Sequence, residues 1–192
     1  MRKTALLLAF GALSTAVATP AAAGGFSLYG SYWNTANADA VGGGGARLGI
    51  PLGSTLDLDL RATYYEKLAA DPLARLGDAE SPFAKGIRAL PLDLGLRIDV
   101  ARRDVVNPYV GAGGTYYRLD SDSGNVRDEV GWYALAGLEI GKFFVEADYR
   151  DVTATVKRDA GGPGDLFDTE LIDRVDVDLS GVAVNAGFTW SF

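Results

Sequence analysis

Eleven charged residues recur at alternate positions or in similar surroundings, and their spacing is the first chemistry that this chain offers. Asp57, Asp59 and Arg61 make one set, Asp93, Arg97 and Asp99 a second, and Glu146, Asp148 and Arg150 a third, with Arg47 and Glu139 beside them. An interval of two residues puts side chains on one face of an extended strand. Each set therefore presents carboxylates and a guanidinium together. Such a face can lock into ion pairs, line a path for cations, or offer carboxylates for acid–base work. The base in each set is arginine, which suits a planar fork that satisfies several carboxylates at once. Hydrolytic chemistry has little else to stand on. The chain holds no histidine and no cysteine, so the usual general base and thiol nucleophile are missing, and nothing singles out a serine. The expectation is no enzyme.

Other apparent motifs dissolve. No Gly-Lys-Ser/Thr follows the glycines at 42–45, so they are not a phosphate loop and read as a flexible entry to a strand. Asp120, Asp122, Gly124 and Asn125 begin like a calcium loop, but Gly131 occupies the place of the closing glutamate. A turn is expected there. No metal and no cofactor is implied. The formal charge of -7 gives no electrostatic footing for nucleic acid.

The elements that carry these charges are strands. Alternation of period two recurs eight times, over 26–34, 44–52, 56–65, 90–100, 108–118, 130–140, 143–150 and 182–192. In the third segment Leu56, Leu58, Leu60, Ala62 and Tyr64 share one face, and Asp57, Asp59, Arg61, Thr63 and Tyr65 the other. Pro91 is the awkward residue, and predicts a bulge near a strand end. The polar faces are diluted by Gly49, Gly95, Gly111, Gly113, Gly137, Gly181 and Gly187. Glycine weakens a strand and serves no purpose facing water. It makes sense where strands converge on a narrow interior that large charged side chains must share. The polar face then points inward and the leucines face lipid. Short connections at 53–54, 101–107 and 141–142 alternate with mostly longer ones at 35–43, 67–85, 119–129 and 157–177, the asymmetry of a membrane barrel with both ends on the short-turn side. Tyr32, Tyr64, Trp132, Phe143, Tyr149, Trp190 and Phe192 fall near strand ends, where interfacial girdles are expected.

The first residues read as a targeting segment. Arg2 and Lys3 precede an apolar run too short to span a bilayer, followed by small residues up to Ala23. The expectation is a cleaved signal peptide over 1–23 and one barrel domain over 24–192. Removing two bases and no acid would move the formal charge from -7 to -9.

The segments Asn-Pro-Tyr-Val-Gly-Ala-Gly-Gly-Thr-Tyr-Tyr at 107–117 and Gly-Lys-Phe-Phe-Val-Glu-Ala-Asp-Tyr-Arg at 141–150 resemble the small outer-membrane barrels of the OmpA/OmpX type, and so does the closing strand. The resemblance covers essentially the whole of residues 24–192. It implies an all-β fold, an eight-stranded antiparallel up-and-down transmembrane β-barrel in the cell outer membrane. It also implies that Trp190 and Phe192 form the assembly signal read by that membrane's assembly machinery. Outer-membrane lipid and lipopolysaccharide are the implied surroundings. Members of this group variously tether, adhere, resist host defences or form narrow channels. No periplasmic domain of the peptidoglycan-binding kind follows the barrel here, so a cell-wall tether is not expected.

Two readings of the charged face follow. Its eleven members either interlock with Tyr29, Tyr109, Tyr117 and Tyr133 as a plug, or line a gated, cation-preferring path. Eight strands enclose just enough space for side chains, which favours the plug. Function would then lie in the outer loops, in membrane integrity or surface interaction. There Leu73, Leu76 and Phe83, and Leu166, Phe167, Leu171 and Ile172, are apolar residues that could meet a partner. The competing structural reading is a short helix at 67–76 and a β-ribbon above the membrane at 171–179. The acids Asp159, Asp165, Asp168, Glu170, Asp173 and Asp176 of the last loop read as a solvated face.

Overall fold

The computed structural model describes residues 24–36, 38–68, 87–101, 105–121, 127–157 and 174–192. The expected signal peptide over 1–23, most of the expected short helix at 67–76, and Leu73, Leu76, Phe83, Leu166, Phe167, Leu171 and Ile172 lie outside these residues.

Eight strands close into one antiparallel barrel: β1 (Gly25–Thr35), β2 (Val41–Pro51), β3 (Leu56–Leu68), β4 (Ile87–Asp99), β5 (Val106–Ser121), β6 (Glu129–Ile140), β7 (Phe143–Asp151) and β10 (Gly181–Ser191). Each strand pairs with its neighbour in sequence. β10 pairs with β7 and with β1, which closes the wall. No helix occurs among the described residues.

The period-two pattern sets what faces where. Leu92, Leu94, Leu96 and Ile98 of β4 are exposed on the outer surface while Asp93 and Gly95 between them are buried. β1 and β7 alternate in the same way. Outward aromatics form two belts. Phe26, Phe143, Phe188 and Trp190 lie toward the end with the short turns and the chain termini, with Phe143 and Phe188 ring centroids 4.0 Å apart. Tyr32, Tyr64, Tyr116, Trp132 and Tyr149 lie toward the other end. Gly141 takes a φ of +61° in the two-residue turn between β6 and β7, a left-handed conformation that glycine adopts freely.

Two local expectations need correction. The glycines at 42–45 are not a loop but the first part of β2. Tyr65 of β3 and Tyr29 of β1 lean over them from the two neighbouring strands. A Cβ on Gly43 would meet the Tyr65 ring at 2.5 Å, and one on Gly45 the Tyr29 ring at 2.5 Å. Close approach of rings, not turn geometry, demands glycine there. Pro91 does not bulge its own strand: β4 stays in register with β5 through Pro91 and Tyr117. The slip falls on facing β3, between Tyr65 and Leu68.

A two-stranded ribbon, β8 (Thr153–Lys157) and β9 (Arg174–Asp178), continues β7 and β10 beyond the barrel. This is the ribbon expected around 171–179, described here for 174–178. Ser180 makes the joint. Its hydroxyl donates to the Asp151 carboxylate at 3.1 Å and accepts from the Val152 amide at 3.2 Å. Its own amide donates to Asp178 at 2.8 Å, and its carbonyl accepts from the Ala36 amide at 2.8 Å.

Candidate functional site: the barrel lumen

All eleven charged residues singled out by spacing point into the lumen, where they form three clusters. Nearest the short-turn end, Arg97 donates to Asp57 at 2.6 Å and lies 3.5 Å from Glu139 and 3.9 Å from Asp99. This cluster is partly accessible, its side chains 11–19 % exposed. It opens on a vestibule of about 550 Å³ whose lining also includes Ser27, Arg47 and Thr189.

Above it, Glu146 of β7 gathers a central cluster and is fully buried. It accepts from Arg61 of β3, from Tyr109 at 2.8 Å and from Asn185 at 3.0 Å, with Arg47 of β2 at 3.5 Å. Arg61 also donates to Asp59 at 2.5 Å, its neighbour two positions along the strand. Arg47 stacks on Phe144, 4.2 Å from guanidinium carbon to ring centre. In the third cluster Arg150 donates to Asp93 at 2.9 Å and to Asp148 at 2.8 Å. Asn185 joins the second and third clusters, because its amide nitrogen also donates to Asp148 at 2.7 Å.

Tyrosines fill the space between. Tyr133 lies beside both Arg61 and Arg150, and its ring reaches across two strands. It stands opposite Gly113 of β5, which stands opposite Gly95 of β4. A Cβ on Gly95 would collide with the Tyr133 hydroxyl. Tyr109 crosses Gly137 in the same manner. The inward glycines are thus the floor on which the lumen aromatics lie. Tyr29 and Tyr65 complete the layer, hydrogen-bonded to Thr63 and Ser31, each at 2.6 Å.

Toward the loop end the lumen changes character. Trp33, Tyr65, Tyr117, Leu68, Ile87 and Leu119 pack into one buried apolar cluster with Val152, Ala154, Val177 and Leu179 at the root of the ribbon. Trp33 is fully buried, with ring centroids 5.2 Å from Tyr65 and 6.0 Å from Tyr117. The sequence reading missed this cluster, and missed Asn185 and Phe144. The signal available was phase: Ile87 and Leu119 keep the inward parity of their strands after the charges have ended.

A family model described as the outer membrane protein beta-barrel domain matches residues 4–192. The chain belongs to this family. Among solved structures that share the fold are two outer-membrane proteins. The outer membrane protein OprG from Pseudomonas aeruginosa has 17% sequence identity and a TM-score of 0.65, the match covering 88% of this chain and 96% of that one. Neisserial surface protein A has 13% identity and a TM-score of 0.59, covering 90% of this chain and 100% of that one. At such identities the likeness is one of fold. No curated protein sequence matches the chain. Membership of the outer membrane β-barrel family supports an outer-membrane location, and it gives the two surfaces their solvents. The leucine band meets lipid, and the charged face is the interior of a transmembrane barrel.

Proposed function

We propose that this is a non-enzymatic outer-membrane barrel with a sealed lumen, acting in membrane integrity or surface interaction through its outer loops. The observation that carries the reading is the double closure of the interior. A buried ion-pair lattice fills the middle, and an apolar cluster centred on Trp33 closes the loop end. Hydrated ions would have to cross both. Nor does the lumen resemble a catalytic cleft. Its carboxylates are spent on arginines, and no histidine or cysteine is present to act as base or nucleophile.

The absence of cysteine makes a direct test available. The single substitutions Ser27→Cys, in the vestibule, and Thr63→Cys, in the buried layer, would be probed with a small charged thiol reagent in proteoliposomes. The sealed reading expects the thiol at position 27 to react from the short-turn side and the thiol at position 63 to react from neither. Labelling at position 63 would contradict it. The surface-contact part of the reading is tested by Phe167→Ser with Leu171→Ser. It expects lost binding to host or neighbouring-cell surfaces with unchanged barrel stability, and unchanged binding would dismiss that role. Within the same proposal, Trp190 and Phe192, exposed on the outer surface, serve assembly into the membrane.

A second reading, a narrow cation-preferring channel, draws on the vestibule. Asp57, Asp99 and Glu139 stand there against Arg97, an acidic mouth that would concentrate cations.

A further inference from the structure

The charges in the closed part of the lumen do not balance. Arg47, Arg61 and Arg150 stand against Asp59, Asp93, Glu146 and Asp148, all seven at 4 % exposure or less. Three positive charges face four negative ones. The cluster around Arg97 also carries more acids than bases, but it borders the vestibule, where water and mobile ions compensate. Of the inner set only Arg47 borders the vestibule; the four carboxylates have no such access, and an unmatched charge in a low-dielectric interior is strongly disfavoured.

A second observation falls in the same place. Asp59 Oδ1 and Asn185 Oδ1, oxygens that can only accept, are buried without a donor, and Thr115 Oγ1 and Tyr133 Oη are also unpaired. Trp33 Nε1 and Tyr117 Oη, toward the loop end, are the other two among the described residues, and three of the six flank one stretch of β4. Thr115 stands directly opposite Asp93, Asp59 stands opposite Gly95, and the Tyr133 hydroxyl lies against Gly95. Missing positive charge and unpaired oxygens thus coincide. No group of three or more carboxylates among the described residues converges as a divalent-metal site, and the deficit is one unit.

We propose that the closed lumen binds one monovalent cation, a proton or an alkali-metal ion, in the oxygen-lined region between Asp59, Asp93 and Tyr133. The site is part of the folded barrel and vanishes on unfolding, so its occupant is linked to stability. The other groups facing it are Arg61 from β3, Arg47 from β2, and Glu146, Asp148 and Arg150 from β7, all counted above. Tyr29 from β1, Tyr65 from β3, and Tyr109 and Tyr117 from β5 complete the surroundings. Tyrosines ordinarily ionise near 10. β10 contributes Asn185, which does not titrate.

The composition makes the measurement unusually clean. With no histidine and no cysteine, the unfolded chain has almost nothing to titrate between about pH 5.5 and 7.5, where its carboxyls are already ionised and its α-amino group is still largely protonated. The full chain, refolded into dodecylphosphocholine micelles, would be unfolded in urea across that range, with folding followed by tryptophan fluorescence. If the occupant is a proton, the native state holds one more than the unfolded state, and the unfolding constant rises tenfold per pH unit. If it is an alkali ion, the constant is insensitive to pH but falls tenfold for each tenfold increase of sodium or potassium, choline chloride keeping ionic strength fixed. Independence of both overturns the proposal. Asp93→Asn and Asp148→Asn each restore neutrality and should abolish whichever dependence the parent shows. Two variants guard against one failing to fold, and a dependence that survives in a folded variant also overturns the assignment.

Discussion

Glu146 is the residue on which the lumen lattice turns. Arg61, Tyr109 and Asn185 donate to it and Arg47 lies at 3.5 Å, and of these groups only Arg47 borders the vestibule and its water. Glu146→Ala leaves two guanidiniums buried with fewer partners, and breaking such a pair typically costs about 3–5 kcal/mol. Urea unfolding in micelles should show a loss of that order; a change under about 1 kcal/mol would mean that solvent reaches the site. Gly95→Ala tests the opposite failure. Its methyl would strike the Tyr133 hydroxyl and the backbone carbonyl of Ala112, and overpacking of this kind costs about 1–3 kcal/mol. Unchanged stability would mean that Tyr133 does not lie across β4. At this scale the sequence was informative about facing and silent about partners. The alternation through 57–61, 93–99 and 146–150 puts the charges on one face. That Arg61 would meet Glu146, 85 positions away, depends on how strands are staggered around a closed wall, and no local pattern records that. Asn185 was invisible for a related reason: one amide among small residues gains meaning only from the carboxylates it faces on β7.

Strands succeed or fail by which side meets lipid. Leu94 lies midway along β4, exposed between Asp93 and Gly95. Leu94→Arg should destabilise the barrel by about 2–4 kcal/mol in lipid vesicles, the range for a basic side chain near the bilayer midplane. A neutral outcome would reverse the inside and outside of every strand. The ribbon rests on its joint. Asp178, outside the membrane span, is held below the usual carboxylate range by hydrogen bonding from Ser180, whose amide donates to it at 2.8 Å. A depressed carboxyl favours the folded joint above its unfolded midpoint, and that contribution is lost as pH falls through the folded one. Ser180→Ala removes the hydroxyl that ties Asp151 to Val152; it should loosen the joint, raise the Asp178 midpoint toward its ordinary value near 4, read from carboxyl-carbon shifts, and speed proteolysis at the ribbon. An unmoved midpoint would mean the Ser180 hydroxyl does not hold the joint together. The eight barrel strands were legible to within a few residues because each one alternates. β2 began earlier than its sequence suggested, since a run of glycine carries no phase, and only the rings of Tyr29 and Tyr65 give it a place.

As a whole the molecule is a barrel whose interior passes from an open acidic vestibule, through a buried ion-pair lattice, to an apolar cluster at the root of the ribbon. The middle was expected from composition: charges and glycines in alternation leave room for little else. The apolar cluster was not, because Trp33, Leu68, Ile87 and Leu119 come from different strands and meet only after closure. Sealing is the claim on which the functional reading stands, and single-channel recording of the refolded protein in a planar bilayer tests it most directly. Folding would be verified first by the heat-dependent shift on a detergent gel. The account predicts a folded and electrically silent barrel. Discrete, cation-selective steps would contradict it and would make Arg61, Arg97 and Arg150 the residues of a gate.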